Sequence, residues 1–199
     1  MHRRWAMVID LRKCIGCHSC DVSCKTENNI PLGVFRAWVK AIEKEKYPHT
    51  KILFLPRMCN HCDNPVCVTV CPVKATYKRS DGVVLVDYDV CIGCGYCVQN
   101  CPYDARFRNP ESHMADKCTL CDHRIDKGLS PACVDACPTK ARIIGDLNDS
   151  KSEVTKLVGT MSIQVLKPEK GTKPMVYYIG LDEAIEGRIE QNITLVTGV

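Results

Sequence analysis

Sixteen of the 199 residues are cysteine, and they are bunched. They form four runs: Cys14, Cys17, Cys20 and Cys24; Cys59, Cys62, Cys67 and Cys71; Cys91, Cys94, Cys97 and Cys101; and Cys118, Cys121, Cys133 and Cys137. Three chemistries compete for such a set. A disulfide framework scatters cysteines so that bridges close loops between distant elements. Here twelve of the sixteen lie in three runs of eleven to thirteen residues, and thiols separated by two residues are better placed to share one metal site. Structural zinc takes four tetrahedral ligands, commonly two pairs a dozen or more residues apart. Run four, with eleven residues between Cys121 and Cys133, fits that description, whereas runs one and three do not.

Runs one and three follow C-x2-C-x2-C-x3-C, the bacterial ferredoxin ligand run, in which three cysteines hold one 4Fe-4S cubane and the fourth ligates its neighbour. The reason is geometric. A tight loop containing Gly16 or Gly93 turns three thiolates toward three iron corners of one cube, while the fourth, past a helical turn, points away. Glycine tolerates positive φ and lets backbone N–H groups approach the sulfides, and such hydrogen bonds help to set reduction potentials. Sixteen thiolates suffice for four 4Fe-4S clusters, the expected cofactors. Repeat order alone pairs run one with run two and run three with run four; spacing leaves the destination of each fourth cysteine open.

The elements that must present these loops are written as an internal repeat. Residues 8–10 followed by Cys14-Ile15-Gly16-Cys17 recur as residues 84–87 followed by Cys91-Ile92-Gly93-Cys94. Runs two and four form a second type, in which Cys71-Pro72-Val73-Lys74-Ala75 resembles Cys137-Pro138-Thr139-Lys140-Ala141. Each half-motif reads as a short strand, a cysteine loop and a short helix, with strands expected at residues 6–9 and 83–86. Proline directly after Cys71, Cys101 and Cys137 stops a helix there; run one has Lys25 in that place. Between runs one and two lies an insert with Trp38, a charged patch at residues 43–46 and a strand at 51–55. After run four, Ser150 with Glu153 makes a capping-box pattern for a short helix. Strands at 162–166 and 175–179 flank a turn-like segment at 168–174, and the last twenty residues read as a surface arm.

Composition narrows the function classes. A net charge of +4, from 27 basic and 23 acidic residues spread along the chain, gives no case for nucleic acid. No stretch approaches the roughly 18 consecutive apolar residues of a membrane span, and Asp10 and Arg12 interrupt any apolar signal core, so no signal peptide is expected. No nucleophile elbow, phosphate-cradling glycine loop or dinucleotide fingerprint is present, so no catalytic residue is expected. His18, His61 and His123 lie within the runs, and hydrogen bonding or packing is the expected role because four thiolates complete each cubane. Tyr96 and Tyr103 read as packing over a cluster. Lys117 and Arg124 read equally as charge compensation or as solvated surface.

These residues resemble a known family: the four-cluster ferredoxin-like electron-transfer subunits of molybdopterin oxidoreductases, such as dimethyl sulfoxide, polysulfide, thiosulfate and arsenate reductases. The likeness covers roughly residues 5–180. It rests on Cys24-Lys25-Thr26-Glu27-Asn28, Cys59-Asn60-His61-Cys62 with Pro65-Val66-Cys67, Lys117-Cys118-Thr119-Leu120-Cys121-Asp122-His123-Arg124, Lys127-Gly128, Pro131-Ala132-Cys133, Gly145-Asp146-Leu147 and Lys167-Pro168. The resemblance implies that run two pairs with run three and run one with run four. Cluster one then takes Cys14, Cys17, Cys20 and Cys137; cluster two takes Cys59, Cys62, Cys67 and Cys101; cluster three takes Cys91, Cys94, Cys97 and Cys71; cluster four takes Cys118, Cys121, Cys133 and Cys24.

The implied fold is α+β, with two ferredoxin-like modules: residues 1–30 plus 110–150, and residues 55–109. The insert spans 31–54 and a C-terminal extension 151–199. The implied role is a relay between a large molybdopterin-containing catalytic subunit, next to cluster one, and an integral-membrane quinone-reactive subunit or other carrier. Residues 28–52 and the C-terminal arm are the segments expected to dock the large subunit. The complex would be membrane-associated, either at the cytoplasmic face or in the periplasm by co-export with a partner. The competing reading is a free soluble polyferredoxin shuttling electrons between cytoplasmic enzymes.

Overall fold

The computed structural model describes residues 3–45 and 47–181, so the arm expected over the last residues lies outside the described residues. In chain order the elements are β1 (Trp5–Asp10), α1 (Ser19–Asn28), β2 (Ala37–Lys44), β3 (Lys51–Met58), α2 (Val66–Thr69), β4 (Thr76–Lys78), β5 (Val84–Val86), α3 (Tyr96–Gln99), β6 (Arg106–Arg108), β7 (Ala115–Lys117), α4 (Asp122–Ile125), α5 (Ala132–Asp135), β8 (Arg142–Asp146), α6 (Glu153–Thr160), β9 (Ile163–Gln164) and β10 (Val176–Ile179). Strands and helices are mixed and short, as the α+β reading expects.

The largest sheet has the order β8-β1-β10-β9. β1 is antiparallel to β8 and parallel to β10, so the first strand of the chain is stitched to the strand that follows run four. Its run Ala-Met-Val-Ile is buried on both faces, because successive side chains of a strand point to opposite sides. Met7 and Ile9 enter the main core with the cysteine loops, while Ala6 and Val8 pack with Val154 of α6, Met175 and Ile179. α6 thus closes the outer face of the sheet.

Two-stranded ribbons link the cysteine runs. β4, after run two, pairs with β5, before run three; β6, after run three, pairs with β7, before run four. Run two is therefore folded against run three, with α2 on α3, and run one against run four, with α1 on α5. That overrides the pairing read from repeat order alone. The connection is not local: it is made by the long-range β1–β8 register, Trp5 with Asp146 through Ile9 with Arg142.

The insert is a long antiparallel ribbon, β2 with β3, matched from Ala37 opposite Met58 to Lys44 opposite Lys51. Only its second strand is expected from sequence. The C-terminal strands form β9 and β10 with shorter bounds, and the segment joining them crosses run two: Asp63 N donates to Lys173 O at 2.8 Å and Met175 N to Asn60 O at 2.9 Å. The capping box does not form. α6 begins at Glu153 behind Ser152, whose side chain makes no capping bond, and the turn is held instead by Asp149, which accepts from Lys151 N at 2.8 Å.

Gly16 and Gly93 both have φ of +67°. A Cβ on Gly16 would stand 2.3 Å from the Phe54 ring, and one on Gly93 would stand 2.4 Å from the carbonyl oxygen of His113. Alanine at either position should cost on the order of 1–3 kcal/mol. Phe54→Ala should recover part of the loss for Gly16→Ala, measured as the thermal midpoint, because the obstruction is a side chain. No single side-chain removal should recover Gly93→Ala, where the obstruction is backbone.

Candidate metal centres

The four runs are presented by loops that the repeat writes in duplicate. After Cys71, Cys101 and Cys137, the sequence Pro-x-x-Ala places its third residue in the left-handed region: Lys74 at φ 55°, Asp104 at 55° and Lys140 at 51°. The loop thereby folds its own N–H groups onto the cysteine sulfur. Ala141 N lies 3.3 Å from Cys137 Sγ. Burial acts to raise the Cys137 and Cys71 thiols, yet the hydrogen bonds of Thr139, Ala141 and Arg142, and of Thr76, Val73 and Ala75, bring both below the usual range.

Run one lacks that proline, and α1 continues through Lys25 to Asn28, ending where Asn29 adopts φ 48°. Asn28 Nδ2 donates to Cys24 O at 2.9 Å and lies 3.9 Å from Cys121 Sγ. Lys25 Nζ donates to Pro31 O and Val34 O at 2.8 and 2.7 Å and stands over the Phe35 ring. The helix therefore fastens the start of the insert.

Two cavities are ringed by thiols. One is lined by Cys24, Cys118, Cys121 and Cys133, with Ala37 and Met58 from the base of the β2–β3 ribbon. The other is lined by Cys71, Cys91, Cys94 and Cys97. In each, three cysteines of one run meet the last cysteine of its spatial partner. Seven of the remaining eight fall into two neighbourhoods: Cys14 with Cys17 and Cys137, and Cys62 with Cys59, Cys67 and Cys101. Cys20 lies near Arg142 and Cys133.

The first cavity's thiols are all buried, whereas Cys17 and Cys94 are exposed. Cys118 neighbours Cys59 of run two as well as Cys24, Cys121 and Cys133. Burial pushes the thiols of Cys20, Cys24 and Cys62 up to about 12. Left to themselves, these groups are neutral.

A structure of the apolar and thiol groups alone would not need cations, yet three are buried among the cysteines. Arg106, Lys117 and Arg142 are 4%, 1% and 2% exposed. None makes an ion pair with a carboxylate among the described residues. An unpaired buried charge is costly, so an anionic group is needed near each. Nitrogen atoms of Arg36, Arg106 and Arg142, and Nε2 of His61, are buried without a hydrogen-bond partner. His61 is held neutral by burial; its Nδ1 accepts from Val84 N at 3.1 Å, which assigns the proton to the unpartnered Nε2. These orphaned donors beside thiol-ringed cavities fit a sulfide-bearing anionic cluster. They do not fit zinc, since among the described residues no three His, Cys, Asp or Glu converge as ligands of a single ion.

The other singled-out residues sort by burial. Exposed His18 pairs with buried Asp21 at 2.8 Å, and His123 pairs with Glu27 at 2.7 Å at the surface. Arg124 joins Glu27 and Asp135 in ion pairs. Tyr103 is buried and bonded to Thr172 at 2.5 Å, while Tyr96 is 54% exposed. Lys117 is not surface: its Nζ donates to Val84 O and to Cys118 O. Arg106 and Arg142 escape a sequence reading confined to the runs, although both stand directly after a Cys-Pro-x-x-Ala repeat.

Comparison with known proteins agrees with this geometry. Two family models, each described as a 4Fe-4S dicluster domain, match residues 13–75 and 50–147. The B subunit of tetrathionate reductase from Salmonella typhimurium is 55% identical over 185 residues, covering 91% of this chain and 74% of that protein. Its namesake from Archaeoglobus fulgidus is 50% identical over 188 residues, covering 90% and 87%. The B component of polysulfide reductase from Wolinella succinogenes is 39% identical over 182 residues, covering 90% and 95%.

Because the ligating form of cysteine is the thiolate, loading the metal-free chain must expel protons from the raised thiols. Anaerobic reconstitution with ferrous iron and sulfide is therefore expected to release acid into weakly buffered solution. It should also reach higher cluster occupancy at about pH 8.5 than at about pH 6.5, read from bound iron and sulfide.

Proposed function

Since this protein belongs to the family of iron-sulfur subunits that includes those of tetrathionate, dimethyl sulfoxide, arsenate and polysulfide reductases, we propose that it relays electrons through four 4Fe-4S clusters and transforms no substrate itself. The observation that carries this reading is the gathering of sixteen cysteines from four sequence runs into thiol-lined sites, with no other chemical constellation among the described residues. When bound, such clusters supply reversible one-electron transfer at potentials tuned by hydrogen bonds, charge and burial.

The ligand sets we assign are Cys14, Cys17, Cys20 and Cys137 for cluster one; Cys59, Cys62, Cys67 and Cys101 for cluster two; Cys91, Cys94, Cys97 and Cys71 for cluster three; and Cys118, Cys121, Cys133 and Cys24 for cluster four. They support two modules, residues 1–30 plus 110–150 and residues 55–109. The nearness of Cys20 to Cys133 and of Cys118 to Cys59 supports the spatial order one, four, two, three. Exposure agrees with that order, because Cys17 and Cys94 lie at its two ends and the cysteines of cluster four are buried.

Each end carries the same exposed apolar residue, Ile15 at 59% and Ile92 at 65%. We assign the cluster-one end to a large molybdopterin-containing catalytic subunit and the cluster-three end to an integral-membrane quinone-reactive subunit. No helix among the described residues is long and apolar enough to cross a membrane, so attachment to a membrane would come through that partner, on either the cytoplasmic or the periplasmic side. The relatives compared above are named as parts of reductases, which favours a resident relay over a freely shuttling polyferredoxin.

Anaerobically purified protein should hold iron and acid-labile sulfide for four cubes, and markedly less would sink the reading. Cys14→Ala and Cys137→Ala should abolish the same paramagnetic signal, as should Cys24→Ala and Cys118→Ala. If Cys137→Ala instead matches Cys118→Ala, the assignment of the fourth cysteines is wrong. Ile15→Asp should leave all four clusters in place and slow electron exchange with the catalytic subunit at least tenfold, read by stopped-flow absorbance of the reassembled complex.

A further inference from the structure

Arg106 and Arg142 occupy the same place in the internal repeat, directly after Cys101-Pro-x-x-Ala and Cys137-Pro-x-x-Ala. The third copy, after Cys71, has Thr76, and its hydroxyl accepts from Arg106 at 3.1 Å. The two loops of that module face each other, so one guanidinium fills the space between them and the opposing position is a small acceptor. In the other module the loop after Cys24 has become helix α1, and Arg142 again stands alone. Each module thus places one buried guanidinium directly after a Cys-Pro-x-x-Ala loop.

Their neighbours are the revealing part. Arg142 NH1 lies 3.8 Å from Cys133 Sγ and 3.4 Å from Met58 Sδ, and its other close sulfur is Cys20. Cys133 and Cys20 belong to clusters four and one. Arg106 lies near Cys59 and Cys67 of cluster two and near Cys97 of cluster three. Lys117, whose Nζ is tied to Val84 O and Cys118 O, lies near the thiols of Cys59, Cys67 and Cys118. It stands between clusters two and four. Each cation lies near thiols of two of the proposed ligand sets, and no two cations share the same pair of sets.

Resting on the ligand sets proposed above, we infer that Arg142, Lys117 and Arg106 are junction cations, one at each of the three steps of the row one, four, two, three. A fixed positive charge between two cubes stabilises the reduced, more negative form of both. It therefore raises both potentials together, and it does so where water is excluded and cannot screen it. An isolated carboxylate partner would cancel the effect, and none is paired with these cations among the described residues. Arg36, by contrast, lines the cluster-four cavity but is neutralised by Asp116 at 2.8 Å, so it is a packing and hydrogen-bonding group rather than a fourth junction.

The test is a potentiometric titration followed by electron paramagnetic resonance on the intact protein, with iron and sulfide counted first. Arg106→Gln should lower two of the four midpoint potentials, each by about a tenfold change in the reduction equilibrium, about 59 mV for one electron. Arg142→Gln should lower the other two. Lys117→Met should lower one from each pair. This overlap pattern needs no prior assignment of signals. Arg106→Lys, Arg142→Lys and Lys117→Arg should keep the wild-type potentials. Four retained clusters with unmoved potentials, or one common shift of all four, would overturn the inference. Should a neutral variant lose clusters, its charge-conserving counterpart decides: full loading at wild-type potentials sustains the junction role, and depletion there reduces the residue to a packing element and overturns it. A wild-type protein holding fewer than four clusters would instead overturn the ligand sets, which keeps the two failures separate.

Discussion

Negative sulfur has to be buried in this molecule, and that requirement organises the rest. Ligating thiolates cannot be left in an apolar medium without compensation, and here they are met from two directions. Backbone N–H groups fold onto Cys71 and Cys137 from the loops that follow them. Side-chain cations come from strands: Arg106 begins β6, Lys117 ends β7 and Arg142 begins β8. The strands are short, three to five residues, yet they suffice because each needs only to deliver one side chain to one position. Metal ligation does for the core what apolar area does in a larger domain.

In the proposed ligand sets, sharing of ligands between runs dictates topology. A fourth cysteine that points away from its own loop must find a partner loop across space, so each module has to be closed by strand pairing. The module made of runs two and three is closed by the local β4–β5 ribbon, and β6–β7 carries the chain on from run three toward run four. The module made of runs one and four has halves far apart in sequence and is closed by β1 against β8. Family models match contiguous windows, residues 13–75 and 50–147, whereas the proposed module of runs one and four is contiguous only in space.

The cysteine spacing made the chemistry legible, and repeat detection made the half-motifs legible. β1 and β5 follow from apolar runs bounded by polar residues, and they appear within a residue or two of the expected positions. What spacing could not carry is the partner of each run, because strand pairing is a non-local property and the two repeat types fit either arrangement. β2 was hidden because its alternation is mixed: Trp38, Lys40 and Ile42 share one face. Lys117 read as surface as easily as core, since lysine is rarely buried in the absence of an unusual counter-charge. The capping box failed for a local reason, the competing Asp149 turn.

The departure of run one from the repeat shows how one residue reshapes a module. Proline after Cys71, Cys101 and Cys137 ends the helix and starts the loop that wraps the sulfur. With Lys25 in that position the helix runs on, carrying Asn28 to Cys24 O and setting Lys25 Nζ against two carbonyls of the following segment. That segment leads into β2, whose first residue Ala37 faces Met58 across the ribbon, and both residues line the cluster-four cavity. Arg36, one position earlier, bonds Asn28 and pairs with Asp116 next to Lys117. Replacing a loop by a helix therefore creates the lid of the most buried site. The asymmetry between modules follows: the helix-bearing module encloses its inner cluster with the insert, and the loop-bearing module leaves Cys91 and Cys94 nearer to solvent. In the proposed row of clusters, a sealed middle and open ends suit a relay, since electrons must enter and leave at the termini and be kept from other acceptors between them.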